Sequence, residues 1–147
     1  MRDWFHAPIV LVVLVFLFGI PTSAQATHFR FGHITWKAVG PTIAEFEINL
    51  AFRRSFPFGC RFANPGDVCN LSGSGTLCFG DGQCVNPNYT ILNIDQEDDW
   101  LLARATVAHT YPNAGPFTAF NTTCCRISPP THINNPDQNW RVEAVVN

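Results

Sequence analysis

The sequence carries little charge and no excess of either sign. Of 147 residues, nine are Lys or Arg and eleven are Asp or Glu, a formal net charge of −2. No basic stripe runs through it, which removes the electrostatic footprint of a nucleic-acid binder. There is no G-x-S-x-G turn to hold a serine nucleophile. Carboxylates gather only in one polar loop, where nothing raises a pKa toward acid–base work. No cysteine pair has C-x₂-C spacing and no histidine stands where it would complete a zinc site. No internal repeat is present, and no apolar run follows the one at the N-terminus. These absences exclude the common hydrolytic, metal and nucleic-acid chemistries, and the chain reads as non-enzymatic with no cofactor.

What is present begins with an export signal. Arg2 supplies positive charge, residues 7–20 are almost wholly apolar, and Ala24-Gln25-Ala26 places small residues at both recognition positions. This predicts a secretory signal peptide over residues 1–26, cut before Thr27. The rival reading is an uncleaved anchor, but the apolar run is shorter than the ~20 residues that a membrane span needs. Cleavage leaves 147 − 26 = 121 residues, enough for one domain over 27–147 with a real core. The expected location is secreted, extracellular or at the cell surface, with no membrane contact after cleavage.

All six cysteines, Cys60, Cys69, Cys78, Cys84, Cys124 and Cys125, lie beyond that segment. An even number in a secreted chain predicts three disulfides, for which fifteen pairings are open. Adjacent Cys124 and Cys125 point to opposite faces if they lie in a strand, so two different partners in the 60–84 region are expected for them. Three sequons, Asn70-Leu-Ser72, Asn88-Tyr-Thr90 and Asn121-Thr-Thr123, are candidate N-glycan sites and require solvent-facing asparagines.

The periodicity is that of strands. In residues 41–53, Ala44, Phe46, Ile48, Leu50 and Phe52 alternate with Glu45, Glu47, Asn49, Ala51 and Arg53, giving one core face and one wet face. Residues 105–120, ATVAHTYPNAGPFTAF, read as strand, proline-glycine turn and strand. Upstream, residues 77–82, LCFGDG, read as a strand ending in a Gly-Asp-Gly turn whose Asp81 caps itself. The order of these two motifs, GDG and then HTY with a turn and an aromatic strand, resembles the PKD-type immunoglobulin-like domain of extracellular proteins. Leu77 stands where that family carries tryptophan. The resemblance implies an all-β, disulfide-stapled immunoglobulin-like sandwich of about seven strands. Phe46, Ile48, Leu50, Val107 and Phe117 are expected inside, with His109 as a packed strand residue.

Around this frame, residues 27–36 form an opening strand in which Phe29 and Phe31 share one parity and Ile34 and Trp36 the other. Gly32 between them marks a bulge or kink. His28 and His33 flank it without a third metal ligand. Residues 55–84 read as a cysteine-rich insertion, with Phe56, Phe58 and Phe62 as a lid or contact surface. Asp95, Glu97, Asp98 and Asp99 crowd one hairpin loop. They are a weak Ca²⁺ candidate, because the D-x-[DN]-x-[DN]-G spacing is absent. A Pro- and Asn-rich loop over 128–139 precedes a last strand, 140–147. The opening HFRFG…W, the CCRI element and the closing NN…WRVE are similar to a domain of secreted surface proteins of aquatic microbes.

Two functions fit. The first is a structural subunit of an extracellular filament or matrix that assembles with itself through Phe29, Phe31, Ile34 and Trp36 of the opening strand, donated to a neighbouring sheet. The second is a carbohydrate-binding or adhesion module at the cell surface, with Trp36, Trp100 and Trp140 as a glycan platform.

Overall fold

Alternating apolar residues in the longer strands build two antiparallel sheets packed face to face. The computed structural model describes residues 28–56, 59–126 and 138–147. The expected signal peptide, Phe58 and most of the loop at 128–139 lie outside the described residues. The strands are β1 (Phe29–Gly40), β2 (Ile43–Arg53), β3 (Val68–Asn70), β4 (Leu77–Cys78), β5 (Cys84–Val85), β6 (Asn88–Asp95), β7 (Trp100–Thr110), β8 (Phe117–Thr123) and β9 (Trp140–Val146). One sheet runs β1-β2-β7-β6-β3 and the other β5-β4-β8-β9. The all-β sandwich read from the sequence is therefore the architecture, with the strand count raised by the two- and three-residue strands β3, β4 and β5.

β2 is the axis of the larger sheet because it pairs along its whole length with β7 on one side and along nearly all of it with β1 on the other. Ala44, Phe46, Ile48, Leu50 and Phe52 are buried, as their alternation requires. Val107 and Phe117 pack partly buried against the same core. The opposite face of β2 is less wet than its pattern suggests. Asn49 and Ala51 are buried there, and Asn49 is held by Glu47, His33 and Arg104.

The opening strand departs from its expected register. Phe29 pairs with Phe52 while Phe31 pairs with Ala51, so the extra residue is Arg30 and not Gly32. The bulge separates the two phenylalanines: Phe29 is 7% exposed and Phe31 50%. Gly32 serves packing instead, since a Cβ there would lie 2.7 Å from Leu50 Cδ2.

Three disulfides form, but not with the expected partners for the adjacent pair. Cys60 joins Cys69, Cys78 joins Cys84 across the β4–β5 hairpin, and Cys124 joins Cys125. The reason is local. β8 ends at Thr123, and Cys125 takes φ +86°, so strand alternation no longer sends the two side chains to opposite faces. The closed loops span nine, six and one residues, so each bridge fixes a turn and none ties sheet to sheet.

Candidate functional site

At one end of the sandwich the two motifs singled out in the sequence meet. Gly80 and Gly82 adopt φ +87° and +91°, the left-handed region that glycine enters without penalty. Gly80 has no substitute, because a Cβ would stand 2.5 Å from the Thr118 carbonyl oxygen. The turn presents Asp81, whose Oδ1 accepts the Gln83 N–H at 3.0 Å, the self-cap expected of it. Its Oδ2 accepts from His109 Nε2 at 2.7 Å, with the two side chains only 3% and 8% exposed. The His109 ring stacks on Phe79 at 3.8 Å, and the Tyr111 hydroxyl donates to the Phe79 carbonyl at 3.1 Å. Burial opposes ionisation of Asp81, but the His109 and Gln83 hydrogen bonds outweigh it and hold the carboxyl below its usual 3.8. Burial and the Asp81 charge push the Tyr111 phenol up to about 12. A carboxylate buried this deeply, with a donor on each oxygen, offers a substrate no accessible acceptor. This cluster is a brace between β4, β7 and β8.

The accessible feature lies along one side of the sandwich, where β1 edges the first sheet and β9 the second. The Trp36 Nε1–H donates to the Val145 carbonyl at 2.8 Å and stitches the two edges together. Among the described residues each strand has a ladder partner on one flank only, and across the seam Trp36 takes the Val145 carbonyl while the Phe29 N–H donates to Cys125. Phe31, Val39 and Val145 are half exposed on these strands, at 50%, 51% and 50%. A shallow opening at the end of the seam is lined by Trp36, Tyr111, Phe117 and Val146. Of the four residues assigned to assembly, Phe29 and Ile34 are in the core, Trp36 is half-buried in the seam, and only Phe31 faces out. Val145 shares the outward parity of Arg141 and Glu143 in the last strand, whereas no alternating pattern marks the face of Val39.

The far end of the seam is closed by aromatic rings and the vicinal disulfide. Phe29 stacks face to face on Trp140 at 3.6 Å, Phe52 meets both edge-on, and His28 stacks on Phe56 at 4.1 Å. The Cys125 carbonyl accepts the N–H groups of His28 and Phe29, its own N–H donates to Gln138, and the Cys124 carbonyl accepts Trp140 Nε1–H. The dipeptide thus joins the start of β1 to the end of β8 and the start of β9.

The remaining candidates separate. The tryptophans do not form a platform. Trp140 is buried, while Trp36 and Trp100 pair with Phe46 and Arg53 at opposite ends of β2. Phe62 is 80% exposed and covers nothing, with Arg61 over its ring. In the acidic loop, Asp95 accepts the Asp98 N–H, and Asp99 accepts from the Ser55 backbone and hydroxyl with Arg53 3.4 Å away. Among the described residues no three His, Cys, Asp or Glu side chains, including Asp95, Glu97, Asp98 and Asp99, converge as metal ligands. Of the sequons, Asn88 is exposed, Asn70 half-buried, and Asn121 fully buried with its amide donating to the Ser74 carbonyl at 3.1 Å. Asn121 therefore does not meet the solvent-facing requirement. Among the described residues no helix is long and apolar enough to cross a membrane.

Residues 30–147, which include both edge strands, the brace and the vicinal disulfide, match the family described as the N-terminal part of integrin beta-like proteins A–E. The chain belongs to this family. Among its relatives in Dictyostelium discoideum, integrin beta-like protein A is 30% identical over 93% of this chain, and integrin beta-like protein C is 35% identical over 83%. Integrin beta-like protein E is 32% identical over 71%. The matched stretch is only 7%, 6% and 5% of those three proteins' own lengths. No solved structure matches the chain.

Proposed function

We propose that this chain is a non-enzymatic extracellular adhesion-type domain that acts by pairing with a second copy of itself along the β1/β9 seam. Membership of the integrin beta-like family is the observation that carries the reading, and it moves adhesion ahead of a filament subunit. A buried brace and edge strands without a second ladder partner among the described residues, flanked by exposed Phe31, Val39 and Val145, suit a protein contact rather than a glycan platform. A seam-to-seam contact closes as a dimer, so a filament or matrix would need a second, heterologous contact between copies. Residues 1–26 act as the cleaved export signal, and the order of the GDG and HTY motifs supports an immunoglobulin-like sandwich of the PKD type.

Location is the first test. The full chain with a C-terminal epitope, expressed in eukaryotic cells, is expected in the medium or on the outer face of unpermeabilised cells, starting at Thr27. Epitope detected only after permeabilisation, outside the secretory compartments, contradicts the extracellular reading.

A further inference from the structure

We infer that the domain carries a single N-linked glycan, on Asn88, and that the other two sequons stay bare; this rests on the export reading above. The three sequons look alike in sequence, and the fold distinguishes them. At the start of β6, Asn88 and Thr90 share one parity and are both exposed, while Tyr89 between them is buried with its hydroxyl on the Gly75 carbonyl at 2.8 Å. The buried ring anchors the strand, and the acceptor amide and the hydroxyl that the sequon requires face solvent together. Among the described residues no hydrogen bond occupies Asn88 Nδ2, the atom that is modified; only Oδ1 is engaged, by Asn70 at 3.4 Å.

Asn121 differs in every respect. Its side chain is buried, Nδ2 donates to Ser74, and Oδ1 is enclosed without a partner among the described residues. A sugar at Nδ2 would break that bond and open the contact between β8 and the 3₁₀ turn Ser72–Gly75. Asn70 is held in its own turn. Its Oδ1 accepts the Ser72 N–H at 2.7 Å and the Asn86 amide at 3.1 Å, while Ser72 sits at φ +53°. Asn70 is also the direct register partner of Asn88, so a glycan on one crowds the other.

The modification is a transfer from a polyprenyl-diphosphate-linked oligosaccharide. The bond from sugar C1 to the diphosphate oxygen breaks, C1 bonds to Asn88 Nδ2, one Nδ2 proton is released, and the polyprenyl diphosphate leaves. The resulting glycan stands on the β3/β6 side of the sandwich, across the larger sheet from β1. It shields exposed Val68 on the β3 edge and leaves the β1/β9 seam open.

The test is translation of the full chain with endoplasmic-reticulum microsomes, followed by protease protection and site-resolved mass spectrometry after enzymatic deglycosylation. The expected result is a protected chain with one glycan, at Asn88, lost in both Asn88→Gln and Thr90→Ala and unchanged in Asn121→Gln. A protected chain bare at Asn88, or glycosylated at Asn70 or Asn121, overturns the assignment and leaves the export reading standing. A chain that is not protected overturns both.

Discussion

Replacing His109 with alanine is expected to destabilise the sandwich by about 3 kcal/mol, the upper end of the usual cost of leaving a buried, charged acceptor without its hydrogen-bond donor. The substitution strands the Asp81 carboxylate, whose side chain is 3% exposed, and leaves the Phe79 ring without its stacking partner. Asp81→Asn keeps an acceptor for Gln83 while removing the charge, and should cost less, about 1–3 kcal/mol. Denaturant unfolding with the disulfides intact measures both. The same pair sets an acid limit. The Asp81 carboxyl is held below its ordinary 3.8 in the fold, so its contribution is complete above that value and is lost as pH falls through the lower, folded pKa. Wild type should therefore weaken below about pH 4 more than Asp81→Asn does. Equal acid sensitivity of the two proteins would show that the brace plays no part.

Phe29→Ser and Phe31→Ser are expected to behave in opposite ways, although they sit two residues apart in one strand. Phe29 lies between Trp140 and Phe52 in the core, so its truncation should cost about 3–5 kcal/mol. Phe31 is half exposed, and its replacement should leave stability within about 0.5 kcal/mol. The opening strand is thus part of its own domain, and loss of residues 28–36 should unfold it. A folded protein after Phe29→Ser would instead mean that this strand is donated to a neighbour. Thermal or denaturant unfolding of the two variants side by side decides between these outcomes.

Much of the frame was legible because long alternating runs leave little choice of face. β2 was read with its inward residues correct, and the inner faces of β7 and β8 followed from Ala105, Val107, Phe117 and Ala119. That alternation also carries Asn121 inward after Ala119, so burial of this sequon was available from parity. The motif order pointed to the GDG and HTY segments, but nothing in it says that Asp81 Oδ2 and His109 Nε2 come within 2.7 Å across 28 residues. The bulge falls at Arg30 and not at Gly32, because a bulge needs only one extra residue and not a glycine. The vicinal disulfide is not legible in the sequence, because strand parity stops with β8 at Thr123. Cys125 at φ +86° no longer obeys it.

Sedimentation velocity of the purified, non-reduced domain over a wide concentration range, wild type beside Phe31→Ser, tests the proposed pairing of copies along the β1/β9 seam most directly. The expected result is concentration-dependent association of the wild type that is lost in Phe31→Ser, with both proteins equally stable. A wild type that stays monomeric throughout, or a Phe31→Ser variant that associates as wild type does, contradicts it.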